Sequence, residues 1–215
     1  MLEKLPDIVG QALRGQRAGL DKTAFHAVDL RGGMASIAMA SLAFVDHAPI
    51  PERYTADGVG VSPPLQWSGV PKQAASVLLI VEDADAPTPN PLVHAIVVDL
   101  EGGDGALAEA ALPSHDHAGA DLKLGRNSYL QTSWLPPDPP PGHGVHRYLF
   151  QVFALEAGPS FGEAPGRDSV LGAIEAHGLA SGCLIGTYER RDGSISAPIS
   201  EEGVSVPTLS LPSAA

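Results

Sequence analysis

Short apolar runs bounded by glycine and proline dominate this chain, and a helical period surfaces only twice. Residues 76–82, S-V-L-L-I-V-E, are apolar at odd and even positions alike, which predicts a strand buried on both faces at the centre of a sheet. His94 to Leu100 forms a second such run, and Ser36 to Phe44 alternates well enough for another strand. After G-H-G-V, alternation puts His146, Tyr148, Phe150, Val152 and Ala154 on one face, and Arg147, Leu149, Gln151, Phe153 and Leu155 on the other. A last strand follows in C-L-I-G-T-Y-E-R, Cys183 to Arg190. Residues 5–17 predict a short amphipathic helix, with Pro6 suited to its first turn and Ile8, Val9 and Leu13 sharing a face. The second helix is V-L-G-A-I-E-A-H, capped by Asp168 or Ser169, with Val170, Ile174 and His177 on one stripe and Gly178 as its stop. Loops fill the intervals: 50–64, the proline-rich D-A-P-T-P-N-P, a polar excursion over 101–128, and a proline-dense stretch over 129–144. The pattern predicts a mostly β fold with one or two peripheral helices and no internal repeat.

Composition narrows the choice of partners. With 215 residues, 44% of them hydrophobic, the chain can bury a real core, and aromatics at 5% leave aliphatic packing to supply most of it. The net charge of −12 is uneven, since residues 1–35 hold five Lys or Arg against four acids and the rest eight against 21, and so acidic a body argues against bare nucleic acid or an anionic membrane surface as partner. Cys183 is the single cysteine, so no intrachain disulfide forms, and its apolar setting predicts a small buried hydrophobe. Leu2 to Val9 is broken by charges and Pro6, unlike a signal peptide, and no apolar run reaches the ~18 residues of a membrane span. Cytoplasmic is the default expectation.

Chemistry concentrates where strands end. Asp83 and Asp85 lie in V-E-D-A-D-A-P, His94 opens the next apolar run, and His146 opens the strand after the proline-dense loop. Three uses compete. Two Asp and two His could chelate a cation, with Asp83 and Asp85 pointing the same way from one strand, although no H-E-x-x-H or paired-cysteine signature appears. His115-Asp116-His117 has the look of a metal clip but lies in a polar loop. A hydrolase would need a serine, and Ser133, Ser169 and Ser181 all lack a G-x-S-x-G setting. An anion pocket explains more: His94 and His146 could grip phosphate or carboxylate while Asp83 or Asp85 orients an imidazole. Each buried Asp then requires a His, Arg or backbone N–H partner. The proline run P-P-D-P-P-P could serve as a polyproline ligand, but a strand follows at once, which favours a rigid loop positioning His143 and His146.

These residues carry a family resemblance. E-D-A-D-A-P followed by His94, together with G-V-H-R-Y-L-F, resembles the phosphatidylethanolamine-binding, or Raf-kinase-inhibitor-like, proteins, the bacterial and archaeal branch above all. I-P-E-R-Y-T-A-D-G, S-P-P-L-Q-W-S-G-V-P, G-R-N-S-Y and H-G-L-A-S-G-C-L-I-G-T-Y-E-R extend the likeness in order. The resemblance implies a large central antiparallel sheet, a smaller sheet packed on one side and a helix or two on the other. It divides the chain into an N-terminal extension (1–35), the domain (36–190) and a tail (191–215). It also implies a small anion pocket lined by Asp83, Asp85, His94 and His146; strand alternation adds Tyr148, on the same face as His146, and Pro87 and Gly142 are expected to shape the rim. Arg147, on the opposite strand face, is expected in a structural salt bridge. Ala84 stands where the family carries proline and Ala95 where it carries an aromatic, departures that bear on ligand size. The function so implied is non-enzymatic binding of phosphate or a phospholipid head group, with a kinase or protease as possible protein partner and no cofactor or resident metal. A homodimer would give the N-terminal helix somewhere to bury its face. The alternative is a hydrolase or metal-assisted enzyme built on the same Asp/His cluster.

Overall fold

A computed structural model describes residues 6–28, 35–114, 117–158 and 160–190. The tail from Arg191, and His115 and Asp116 of the clip, lie outside the described residues. Among the described residues ten strands occur in chain order: β1 (Ala35–Ser36), β2 (Ala38–Ala40), β3 (Ala48–Pro49), β4 (Leu65–Ser68), β5 (Ser76–Asp83), β6 (Leu92–Glu101), β7 (Gly105–Leu107), β8 (Lys123–Leu124), β9 (His146–Leu155) and β10 (Gly178–Tyr188). Three α-helices accompany them among the described residues: α1 (Asp7–Leu13), α2 (Ala24–Ala27) and α3 (Arg167–His177). Among the described residues the main sheet runs β1-β10-β9-β5-β6-β8, with β3 also on β10, and the smaller one runs β2-β4-β7.

The main sheet is antiparallel from β10 through β8, as expected, but mixed overall, because the two-residue strands β1 and β3 pair with β10 in parallel. Central β5 is buried along nearly its whole length, as its two-sided apolar run predicts. Its odd positions, Val77, Leu79 and Val81, join Tyr148, Phe150 and Val152 in a core shared with Leu65, Trp67 and Leu107 of the small sheet. Its even positions, Leu78 and Ile80, meet Phe153, Leu155, Val170 and Ile174 under α2 and α3. Each such aliphatic side chain contributes roughly 1.5–3 kcal/mol on burial. The alternation of β9 thus falls on the two cores as its sequence indicates.

Several boundaries differ from expectation. The run 36–44 is split: Ile37, 2% exposed, is buried at the point where the chain passes from the main sheet to the small one, and the strand ends at Ala40. Gly166 precedes α3 without a side-chain cap, and Asp168 lies within the first turn, where its charge suits the helix dipole. The last strand starts at Gly178, directly on the end of α3. The apolar stripe of the N-terminal helix is not what buries it. Ile8 is 72% exposed, and the buried residue is Gly10, seated against the backbone of Pro141 and His143. Close backbone approach, available only without a side chain, replaces hydrophobic packing there. Among the described residues no helix is long and apolar enough to cross a membrane.

Glycine meets the same demand in β10. A Cβ on Gly182 would stand 2.2 Å from the Ile37 carbonyl oxygen, where the chain crosses between sheets. Gly182→Ala should therefore destabilise the fold by roughly 1–3 kcal/mol. Urea unfolding checks this, and an unchanged midpoint would show that the crossing can yield.

Candidate functional site

The β5–β9 ladder pairs Asp83 with Tyr148, which sets the Asp83 carboxylate beside His146 at the ladder's end. Asp83 Oδ2 lies 2.7 Å from His146 Nδ1. His146 Nε2 lies 2.7 Å from His143 Nδ1, and His143 Nε2 lies 2.8 Å from the Leu13 carbonyl oxygen. All three side chains are buried. The proton inventory of this chain follows from donor chemistry. The Leu13 carbonyl only accepts, so His143 Nε2 carries a hydrogen. Burial, aided by neighbouring His146, pushes His143 below the ordinary histidine value of 6.5, so its Nδ1 is bare and accepts from His146 Nε2–H. The remaining link to Asp83 needs one more hydrogen. The three hydrogen bonds thus hold one proton beyond what an ionised Asp and two neutral imidazoles supply, and Asp83 with His146 is neutral as a pair.

His94 reaches the same face by a backbone irregularity. Val81 pairs with Ala95 and Glu82 with Val93, so His94 is the extra residue of a β-bulge in β6. Strict alternation would send it with Ile96 and Val98 to the helix side; the bulge re-aims it. Its ring packs edge-on to Tyr148 at 5.1 Å and lies 6.1 Å from Trp134. Nδ1–H donates to the Leu135 carbonyl at 2.6 Å. Burial drives the imidazole down, against the opposing pull of Asp83 and of Leu135, leaving Nε2 a bare acceptor. Burial also raises the Tyr148 phenol well above its ordinary value, with Asp83 adding to it, so it keeps its hydrogen. His94 Nε2, Tyr148 Oη and Trp134 Nε1 are buried without a hydrogen-bond partner among the described residues. Unmade bonds of this kind cost roughly 1–3 kcal/mol each.

Asp85 is turned elsewhere. Its backbone N–H donates to Asp83 Oδ1 at 2.8 Å, and this turn swings Asp85 out of the strand direction, so the two carboxylates do not share a contact as the D-x-D spacing suggested. Asp85 accepts from Arg147 through Nε and Nη2 at 2.7 Å each and through the Arg147 backbone N–H, and it pairs with Arg17 at 2.9 Å. Burial alone would raise its carboxyl; the hydrogen bonds from Arg147 and Arg17 outweigh burial and hold it below the usual carboxylate range. Arg147 thus makes the salt bridge its strand face predicts. Gly142, at φ +76°, bends the loop before His143 and offers its carbonyl to Arg14 Nε, while Pro87 sits half-buried after the aspartate turn.

The structure therefore brings Asp83, His94, His146 and Tyr148 together and gives Asp85 an arginine clamp. His143, Trp134, Leu13 and Arg17 complete the arrangement without being in the predicted set. P-G-H-G and S-W-L-P-P mark the first two in sequence, but the N-terminal contacts leave no local signal. Asp83–His146 has the form of two members of a hydrolytic triad, yet its far nitrogen meets an imidazole instead of a hydroxyl. Burial pushes the Cys183 thiol up to about 12, which suits a packing role. A separate cleft of about 510 Å³ opens on the helix side between Leu92, Arg126, Tyr129 and Arg167, and none of the four clustered residues lines it.

The family model described as phosphatidylethanolamine-binding protein matches residues 40–189. A UPF0098 protein of Methanothermobacter thermautotrophicus is 36% identical over 148 residues, 69% of this chain and 95% of that protein. One from Chlamydia trachomatis is 37% identical over 156 residues, 71% of this chain and 98% of that protein. Among solved structures, a phosphatidylethanolamine-binding protein homologue from Chlamydia trachomatis aligns with TM-score 0.64 at 36% identity, over 72% of this chain and 98% of that one. E. coli YbcL, described as a new member of the mammalian family, aligns with TM-score 0.64 at 25% identity over 72% of this chain and 99% of its own.

The depressed His94 and His143 make stability pH-dependent. The folded chain binds fewer protons than the unfolded chain once pH falls past 6.5, so their contribution is complete above that value and is lost as pH falls through the lower folded values. Thermal midpoints should decline from about pH 7 toward pH 5, less steeply in His94→Asn. Equal slopes would remove His94 from the account.

Proposed function

Because the chain belongs to the phosphatidylethanolamine-binding protein family, we propose that it is a non-enzymatic receptor for a small anion that carries an acidic hydrogen, with the phosphate monoester of a lipid head group as the type ligand. The observation carrying this reading is the pairing of two unpartnered buried groups of opposite sense, the bare His94 Nε2 and the Tyr148 O–H. A monoprotonated phosphate answers both. Its P–OH donates to His94 and its P–O⁻ accepts from Tyr148, with Trp134 Nε1–H as a further donor. Asp83 is neutralised by the proton it shares with His146, so the ligand's charge meets no net negative partner.

Acidic composition does not oppose this chemistry, since a single buried anion is held by directed donors and not by the long-range field.

Titration of phosphoethanolamine by calorimetry tests the reading. The second phosphate ionisation of monoesters lies at about 6, so the P–OH is lost above it and affinity should fall as pH rises from about 5.5 to 7.5. Tyr148→Phe should weaken binding about tenfold at the lower pH. Absence of binding, or affinity flat across that range, overturns the proposal.

A further inference from the structure

The site is closed in this structure: Asp83 is 4% exposed, His94 3%, His146 1%, and His143 and Tyr148 0%. Part of what lies against it comes from residues 10–19, outside the family-matched stretch of 40–189. This segment is bonded to both loops that carry the site. On the P-G-H-G side, Gly10 seats against Pro141 and His143, Leu13 accepts from His143, Arg14 donates to the Gly142 carbonyl, and Arg17 donates to the carbonyls of His143 and Val145. On the aspartate turn, Arg17 pairs with Asp85, and the N–H groups of Ala18 and Gly19 donate to the carbonyls of Ala86 and Ala84.

We infer that His143 is a positioning residue through which this N-terminal segment sets the ligand-binding capacity of His146. With the segment docked, Leu13 fixes His143 with Nδ1 bare, and that nitrogen consumes the one His146 hydrogen not committed to Asp83. His146 is then spent at both nitrogens and offers nothing to a ligand. Release of the segment frees the His143 ring from its carbonyl anchor, and His146 Nε2–H becomes a donor beside Tyr148, on the face where His94 also sits. The segment is thus a latch that withholds one charge-assisted hydrogen bond from the anion. The inference rests on the anion reading above, and its ligand is the same phosphate.

Two full-length variants open the latch from different ends. Gly10→Val places a side chain where a Cβ already falls 1.9 Å from the Pro141 carbonyl oxygen, and Arg17→Gln removes the pair with Asp85. Imidazole nitrogen NMR without ligand should show His143 and His146 signals moving in both variants while His94 stays in place. Inorganic phosphate should bind each variant about tenfold more tightly than wild type, the gain expected of one added charged hydrogen bond. The gain should vanish in Gly10→Val/His146→Asn. Unmoved His143 and His146 signals overturn the latch. So does wild-type phosphate binding that the variants fail to exceed, and that result leaves the anion reading intact. If no form binds phosphate, the anion reading falls and the nitrogen spectra alone decide whether the segment controls His146.

Discussion

The proton held between Asp83 and His146 is the constraint around which the site is arranged. A carboxylate at the end of a fully buried central strand is tolerable only when neutralised, because unpaired burial of such a charge costs far more than the packing around it returns. The β5–β9 register puts the His146 imidazole against it. From that pairing the other positions follow: His146 must donate onward, His143 must accept, and the carbonyl that fixes His143 must come from outside the sheet. A site with polar side chains this deeply enclosed is kept uncharged at each step by sharing protons along hydrogen bonds.

Two carboxylates two residues apart are treated in opposite ways. Asp83 is neutralised by a proton, Asp85 by two guanidinium groups with their permanent charge. The turn that separates them is made by Asp83 itself, whose second oxygen accepts the Asp85 N–H. One short segment therefore supplies a hydrogen-bonded acid–imidazole pair on one side and a rigid arginine anchor on the other. Breaking the arginine pairs would leave a buried, charged Asp85 with only the Arg147 backbone N–H, the costlier half of such an arrangement.

Much of this is legible in the chain. The two-sided apolar run of β5 and the clean alternation of β9 dictate which residues face which core, and ordered motifs from about Ser36 to Arg190 cover nearly the stretch that the family model matches. What escapes has a common physical origin. A β-bulge is a pairing defect between two strands, so the re-aiming of His94 cannot be seen in either strand alone. Strand geometry would keep Asp83 and Asp85 parallel, but the strand ends at Asp83 and a side-chain turn takes over. The apolar stripe of the N-terminal helix misleads because contact there is made by the backbone at Gly10, which hydrophobic pattern cannot weigh. Bonds from Leu13 to His143 and from Arg17 to Val145 span about 130 residues of chain and depend wholly on tertiary placement.

Glu82, next to Asp83, faces the other way. Its carboxylate is fully buried on the helix side, accepting from the Ala24 N–H at the start of α2, from Gln151, and from Arg167 in the first turn of α3. Adjacent acids on one strand thus address opposite faces, each with partners specific to that face. This gives the sheet a chemical proofreading step. Were β5 to pair one residue out of register, its aliphatic positions would simply exchange cores, since both faces are apolar and the hydrophobic effect would scarcely object. Glu82 and Asp83 would object strongly, each delivered to the face where the other's partners wait. Where hydrophobicity alone leaves alignment ambiguous, two neighbouring charges restore a single answer.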